Sequence, residues 1–306
     1  MSVVEVDAVT KRFDEFVAVN SMSFAVEPGS IFGLLGPNGA GKTTTIRMIV
    51  GIFAPDQGEV RVLGQHITPA LQQRIGYMPE ERGLYKKMKV GEQLLFFAQL
   101  KGLGGAEAAR RVDRWLTRFD LSDWKNKKSS DLSKGMQQKV QFIATALHEP
   151  ELLILDEPFS GLDPVSVGVL KAVMLDLKAQ GKAIIFSTHQ MEQVEQLCDD
   201  ICLIDHSTKV LAGNLKEVKR RFGKNTVRLD YQGPDSFLNQ PIVKKLNRYP
   251  NYVEIVLQEG ADAQELLRSA IAAGATVNKF ELVEPSLNEI FIESVTGKNG
   301  KNTGDN

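Results

Sequence analysis

A glycine-rich loop that ends in lysine and threonine could bind phosphate. The segment from Gly36 to Thr43 fits the pattern GxxxxGK[ST] and lies between an apolar strand, Ile31–Leu35, and a predicted helix, Thr43–Ile52. Glycines let backbone N–H groups converge on phosphate oxygens, and the helix amino terminus adds positive charge. Lys42 would reach the β- and γ-phosphates, and the Thr43 hydroxyl would bind Mg²⁺. The expected nucleotide contacts are Gly36, Pro37, Asn38, Gly39, Ala40, Gly41, Lys42, Thr43 and Thr44.

Two acids follow a second apolar run. Leu152–Leu155 has the composition of a buried strand, and Asp156 and Glu157 come directly after it. Asp156 is placed to orient Mg²⁺ through its water shell, and Glu157 to take a proton from an attacking water. Paired acids at a strand end can also be plain surface charge. The phosphate loop upstream favours a site that hydrolyses a nucleotide.

Three further segments complete a pattern that resembles the ABC family of ATPases. Leu132–Met136 (LSKGM) resembles the family's signature sequence, Ser160–Asp163 (SGLD) its D-loop, and Ser187–His189 (STH) its switch histidine. The order and spacing of the motifs fit the family from residue 3 to about 215. The resemblance implies a cassette of the P-loop NTPase type that binds and hydrolyses ATP with Mg²⁺.

The resemblance also implies a head-to-tail dimer in which two copies enclose two ATP molecules. Ser133 and Gly135 would reach the nucleotide held by the second copy, and Asp163 is expected to contact nucleotide too. His189 would contact the γ-phosphate and report its loss. Catalysis is expected to depend on Glu157, His189 and Lys42.

Two positions near the expected site have alternatives. Phe13 resembles the aromatic residue that stacks on adenine in the family. Phe16 is an alternative for this role, and either ring could instead be part of the core.

The family commonly has glutamine shortly after the strand Ile75–Met78, where this chain has Glu80. A carboxylate can coordinate Mg²⁺ and accept a hydrogen bond from water, but it cannot donate one. The expected metal-binding residues are Thr43, Asp156 and Glu80.

The elements that must position these residues alternate between strand and helix. This alternation predicts an α/β fold with a mostly parallel sheet covered on both faces. Residues 1–215 are expected to form the ABC cassette, with a helical subdomain at about 84–148. Residues 216–296 are expected to form a small α+β domain. Residues 297–306 lack apolar side chains and are expected to be disordered.

Composition excludes several classes of protein. A net charge of −1 over 306 residues gives no general attraction to nucleic acid or to anionic membranes. The lysine clusters Lys86–Lys89 and Lys125–Lys128 are interpreted as solvated loops, and no nucleic-acid partner is expected. Two cysteines, Cys198 and Cys202, are too few for a disulfide scaffold and fit a reducing cytoplasm.

No apolar run approaches the ~20 residues that span a bilayer, so any membrane role requires a partner. The segments PEERGLYKKMKV and PSLNEIFIESVTG resemble a bacterial exporter subfamily that includes sodium-extrusion and drug-export ATPases. We therefore expect a cytoplasmic subunit that is peripheral to the inner face of the membrane and drives export by a separate permease. The permease is expected to dock on the loop Glu80–Leu84 and the helices at 90–119. The alternatives are an ABC ATPase acting on ribosomes or DNA, and a regulatory module that no longer hydrolyses ATP.

Overall fold

The computed structural model describes residues 2–222, 226–258 and 260–299, and for 296–299 only the backbone. The chain divides into two compact units, Met1–Leu215 and Lys216–Asn306. The strands of the first unit are β1 (Val4–Phe13), β2 (Phe16–Val26), β3 (Ile31–Leu35), β4 (Gln57–Val62), β5 (Ile75–Met78), β6 (Leu152–Asp156), β7 (Ala183–Thr188), β8 (Asp200–Asp205) and β9 (Thr208–Asn214).

Apolar runs in the sequence become neighbouring parallel strands at the centre of this unit. Within the described residues the sheet has the order β4-β1-β2-β9-β8-β3-β7-β6-β5. The pairs from β8 through β3, β7 and β6 to β5 are parallel, so the carboxyl ends of these strands share one edge. Every residue of β3, β6 and β7 is buried, as expected for strands covered on both faces.

Helices cover this sheet and form a separate helical layer. They are α1 (Lys42–Ile49), α2 (Pro69–Gln72), α3 (Val90–Leu100), α4 (Gly105–Arg118), α5 (Lys134–Ala146), α6 (Pro164–Ala179) and α7 (Met191–Leu197). A further helix, α8 (Leu215–Arg221), starts at the boundary between the two units and belongs to the second. An aromatic cluster joins α4 to α5, with the Phe142 ring 6.1 Å from Trp115 and 5.7 Å from Phe119. Helices α3, α4 and α5 lie within residues 84–148, the range in which a helical subdomain was expected.

The second unit is an antiparallel sheet with its own core. Its elements are β10 (Thr226–Gln232), β11 (Val243–Arg248), β12 (Val253–Leu257), α9 (Ala263–Ala272), β13 (Thr276–Val283) and α10 (Leu287–Asn299). The described strands lie in the order β11-β12-β10-β13. Leu266 of α9 is buried with Val227, Leu229 and Ile255 of the sheet.

The structure extends the predicted elements in several places. Strands β9 and β11 were not expected. Helix α10 continues to Asn299, past the boundary expected at 296. The rest of the tail expected to be disordered, 300–306, lies outside the described residues.

Candidate functional site

The register between β6 and β7 assembles the first part of the site. Asp156 lies opposite Ser187 in the parallel pair, and the Ser187 hydroxyl donates a hydrogen bond to Asp156 Oδ1. The hydroxyl of Thr43, at the start of α1, donates to the other carboxylate oxygen at 2.8 Å. Asp156 is 1% exposed, so these contacts fix its carboxylate at the sheet edge. Sequence reasoning quoted Ser187 only as part of a motif and missed its role in holding Asp156.

The loop before α1 has the shape that its glycines predict. Gly36 and Gly41 have φ angles of 153° and 104°. A Cβ atom on Gly36 would lie 2.1 Å from the Ile204 carbonyl oxygen, and one on Gly41 would lie 2.4 Å from that of Ala18. Any larger residue would therefore push the loop away from β2 and β8.

Lys42 closes the loop on itself. Its Nζ donates hydrogen bonds to the carbonyl oxygens of Gly36 at 2.8 Å and Pro37 at 3.1 Å. Burial lowers the pKa of the Lys42 amine, while the carboxylates of Glu157, Asp156 and Glu80 act in the opposite direction. The amine is thus surrounded by acceptors and lies where a phosphate would be neutralised.

Glu157 has an uncommon backbone conformation, with φ at 49°. Its N–H donates to the Ser187 carbonyl oxygen at 3.2 Å, which ties the residue to β7. The Thr188 hydroxyl donates to Oε2 at 3.4 Å, and Nδ1 of His189 lies 2.9 Å from Oε1. The residues predicted as base and switch histidine are therefore in direct contact.

Lys42, Asp156 and Glu157 line a pocket of about 470 Å³, whereas His189 is not among its lining residues. It is lined by Phe16, Ala18, Asn38, Gly39, Gly41, Lys42, Thr43, Thr44, Glu80, Asp156 and Glu157. The lining includes Phe16 but not Phe13, whose ring instead packs 5.3 Å from that of Phe53. Glu80 shares the pocket with both other acids, whereas Gly36 and Pro37 take part through their contacts with Lys42. Ala40, also a loop residue, is buried and does not line the pocket.

Two buried glutamines of α5 hold the loops of this pocket, and sequence reasoning missed both. Gln138 donates to the carbonyl oxygens of Glu157 at 3.3 Å and Pro158 at 3.1 Å. Gln141, one helical turn later, donates to those of Pro79 at 2.8 Å and Glu81 at 3.1 Å. Their i, i+3 spacing places them on one helix face. The sequence carries no signal for the carbonyl groups that lie against that face.

The oxygen atoms in the pocket suit a nucleotide with Mg²⁺. Magnesium prefers hard oxygen ligands, and it usually takes one or two from the protein and others from phosphate and water. A hydroxyl (Thr43) and carboxylates (Asp156, Glu80) fit this pattern. In the described part of the chain no three His, Cys, Asp or Glu side chains cluster as a metal cage of their own.

Comparison with known proteins identifies the family. The family described as "ABC transporter" matches residues 19–160, and "ATP-binding protein DrrA1-3-like, C-terminal domain" matches 213–295. The uncharacterized ABC transporter ATP-binding protein YhaQ of Bacillus subtilis is 45% identical over 291 residues, 95% of this chain and 97% of that protein. The chain belongs to the ABC transporter ATP-binding proteins.

Other relatives of this ATP-binding subunit agree with the assignment. The Nod factor export ATP-binding protein I of Paraburkholderia xenovorans is 38% identical over 213 residues, 69% of this chain and 70% of that one. A solved structure described as the ATP binding subunit of an ABC transporter is 32% identical. It has a TM-score of 0.68 and covers 72% of this chain and 93% of its own. The chain therefore has the fold of an ABC cassette, and its export-type relatives include the Nod factor protein.

Proteins of this family bind nucleotide, hydrolyse ATP to drive transport and work with membrane permeases. The ATP-binding subunit is accordingly an ATPase. Among the helices described for it, none combines the length and the apolar character needed to cross a membrane.

The signature residues of this subunit lie outside its own nucleotide pocket. Ser133 caps α5 by accepting a hydrogen bond from the Met136 N–H at 3.2 Å. Asp163 caps α6 through the Ser166 N–H at 3.0 Å. A Cβ atom on Gly135 would lie 3.3 Å from the Gly161 carbonyl oxygen, so the signature helix packs closely on the D-loop.

A second cavity, of about 410 Å³, is lined in part by Pro79, Gly83 and Leu84 of the Pro79–Leu84 loop. Its mostly apolar wall includes Leu84 from the loop and Phe97 and Leu100 from α3. Gln141 also lines this groove. The Gln141 amide nitrogen donates a hydrogen bond to the Pro79 carbonyl oxygen of the loop, and the Gln141 Oε1 atom is buried without a hydrogen-bond partner. One glutamine therefore contacts both the groove and the loop that carries Glu80.

His148 forms part of the same groove. Its Nε2 lies 3.3 Å from the Ile75 carbonyl oxygen, while Nδ1 is buried without a partner. Burial and the nearby Lys101 lower the pKa of His148 to about 4. The ring is thus neutral at neutral pH, and if Nε2 carries the proton, Nδ1 is a free acceptor.

Proposed function

We propose that this subunit drives export through a separate membrane permease, working at the cytoplasmic face of the membrane as a head-to-tail dimer with two ATP molecules. The observation that carries the proposal is the loop Pro79–Leu84. Glu80 of this loop lines the nucleotide pocket, and Leu84 lines the apolar groove. Gln141 of α5 donates a hydrogen bond to the Pro79 carbonyl oxygen at the start of the loop. A change at the nucleotide can therefore move the groove.

The nucleotide chemistry follows from the pocket. Backbone N–H groups of the Gly36–Thr43 loop and Nζ of Lys42 bind the phosphates. Thr43, Asp156 and Glu80 would hold Mg²⁺, which when bound neutralises charge on the phosphate oxygens. Ser187 keeps the Asp156 carboxylate in position for that task.

Glu157 is proposed as the general base. Its carboxylate lies in the pocket, and one carboxylate oxygen accepts a hydrogen bond from the Thr188 hydroxyl. The other oxygen contacts Nδ1 of His189, whose side chain is 51% exposed. Accepting a proton from a positioned water raises the nucleophilicity of that water, and such catalysis contributes about 10²–10⁴-fold.

The second copy would complete the site. The amino terminus of α5, with Ser133 and Gly135, is a phosphate-binding end by its N–H groups and dipole. These residues do not line the pocket of their own chain. A nucleotide held between Lys42 of one copy and Ser133 of its partner would join the copies only while its γ-phosphate is present.

The groove supports docking of a permease helix. Leu100 is 64% exposed and Tyr85 52% exposed, and the Tyr85 ring is stacked 6.0 Å from that of Phe97. An exposed apolar patch of this kind typically marks an interaction site.

The direction of transport is inferred from relatives. The Nod factor relative is named as an export protein, and its similarity supports export for this chain. The substrate class proposed is an ion, a drug or a lipid-like molecule.

The test is association with an integral membrane protein in detergent extracts of the native host. We expect co-purification of a multi-span membrane protein, and Leu84→Asp should weaken it more than it weakens ATP binding. Leu175→Asp is the matched control, because Leu175 is an exposed leucine of α6 that does not line the groove. Recovery only with ribosomes or DNA, and never with membranes, would favour the rival function instead.

A further inference from the structure

The two lysine clusters of the sequence form one surface. Lys89 and Lys128 pair in an antiparallel bridge. The Val90 N–H donates to the Lys127 carbonyl oxygen at 2.9 Å, and the Ser130 N–H to that of Lys86 at 3.0 Å. We call the exposed side chains that result the lysine surface: Lys86, Lys87, Lys89, Lys127 and Lys128.

Carboxylates neutralise little of this charge. Lys89 has Glu92 at 3.5 Å, and the neighbouring Lys125 has Asp113 at 2.5 Å. Over the described residues, the other four members of the lysine surface form no ion pair. Asp131, the acid closest in sequence to Lys128, accepts a hydrogen bond from Ser130.

The pairing geometry brings like charges together. The bonds that flank the Lys89–Lys128 bridge run between Val90 and Lys127 and between Ser129 and Met88. Lys89 and Lys128 are therefore a non-hydrogen-bonded antiparallel pair, the type in which the two facing side chains lie on the same side and closer together. Like charges directly opposite one another destabilise a pair. An anionic ligand would relieve this repulsion.

Buried Gln93 links Tyr85, which follows Leu84 of the groove, to Ser129, which follows Lys128 of the lysine surface. Its Oε1 accepts from the Tyr85 N–H at 3.2 Å, and its Nε2 donates to the Ser129 hydroxyl. The exposed rings of Tyr85 and Phe96 lie 6.3 Å apart at the same place. Basic residues beside exposed aromatic rings are typical of surfaces that bind the membrane interface.

We propose that the lysine surface binds the phosphate headgroups of anionic lipids next to the docked permease. The inference rests on the proposed function, because the groove is what brings this face to a membrane. The chain as a whole has a net charge of −1, so binding depends on this local cluster.

The experiment measures sedimentation of the full-length protein with lipid vesicles. Phosphatidylcholine vesicles are compared with vesicles of about one-third phosphatidylglycerol. The protein should bind only the anionic vesicles and dissociate in about 0.5 M salt, where screening is strong. Each lysine contributes about fivefold, so Lys86→Gln/Lys87→Gln and Lys127→Gln/Lys128→Gln should each weaken binding about 25-fold.

Lys244→Gln/Lys245→Gln is the matched control, since it removes another adjacent pair of exposed lysines. Equal binding to both vesicle types, or equal loss in the control, would overturn the proposal. Tighter binding to a nucleic-acid duplex than to vesicles at equal phosphate concentration would also overturn it. ATP hydrolysis without vesicles should be unchanged in all three variants. A wild-type protein that hydrolyses ATP and associates with its permease but ignores anionic vesicles contradicts this inference alone.

Discussion

Nδ1 of His189 lies 2.9 Å from Oε1 of Glu157. The Glu157 side chain is 10% exposed and that of His189 51% exposed. The proposed base is therefore held inside the pocket by a residue that solvent can reach. Thr188 and His189 both lie at the carboxyl end of β7, so the β6–β7 register sets the position of the base and of its contact.

Glu80→Gln should weaken Mg²⁺ binding while ATP affinity is largely retained. The change removes a negative charge from the pocket shared with Asp156 and keeps the shape of the side chain. We expect the Mg²⁺ concentration for half-maximal hydrolysis to rise about tenfold. Glu81→Gln is the control, because Glu81 is exposed and does not line the pocket. Unchanged metal dependence would place Glu80 outside the metal site.

Phe16→Ala should weaken ATP binding more than Phe13→Ala does. Stacking of a base on an aromatic ring is worth about 1–3 kcal/mol, and Phe16 is the phenylalanine that lines the pocket. Titration with a fluorescent ATP analogue measures both variants. A larger loss of affinity in Phe13→Ala would show that Phe13 contacts adenine, as the family resemblance implied.

His148→Gln should make the stability of the protein less sensitive to acid. The folded-state pKa of about 4 lies below the ordinary 6.5, so the unfolded chain binds a proton first as the pH falls. The free energy of unfolding therefore decreases as the pH falls from the unfolded-state pKa towards the folded-state pKa, and the decrease reaches about 2 kcal/mol at about pH 5. Urea unfolding at about pH 7.5 and about pH 5 should show a loss about 1–2 kcal/mol smaller in the variant. Equal losses in the two proteins would show that His148 does not titrate in this way.

A chain that ends at Phe222 should fold and bind ATP with an affinity within about twofold of the full chain. The residues that line the pocket all belong to Met1–Leu215, and the second unit has its own core. Circular dichroism and ATP titration test this. A truncated chain that fails to fold would mean that residues after 222 stabilise the cassette.

The central strands could be predicted because each is buried along its whole length and reads as an apolar run, as in Ile31–Leu35 and Leu152–Leu155. The glycine loop could be predicted because each glycine meets a specific backbone requirement. Strand β9 could not, because its half-buried residues pair with β8 only after the chain folds. Strand β11, with exposed Lys244 and Lys245 at the sheet edge, has no apolar alternation to reveal it.

The same limit applies to the candidate site. Lys42, Asp156 and Glu157 follow from motifs, since each motif carries its own chemistry. The contacts of Gln138 and Gln141 do not, because their partners are backbone carbonyl groups, which have no signature in the sequence. Phe16 rather than Phe13 lines the pocket for a similar reason, since the course of the β1–β2 turn decides which ring lies there.

The rate of ATP hydrolysis by Glu157→Gln tests the central claim most directly. Loss of the base should lower turnover about 100-fold or more, while ATP binding persists and the variant accumulates as an ATP-bound dimer. Lys42→Ala is the comparison, because it should lose ATP binding itself. Hydrolysis by Glu157→Gln at close to the wild-type rate would contradict the account.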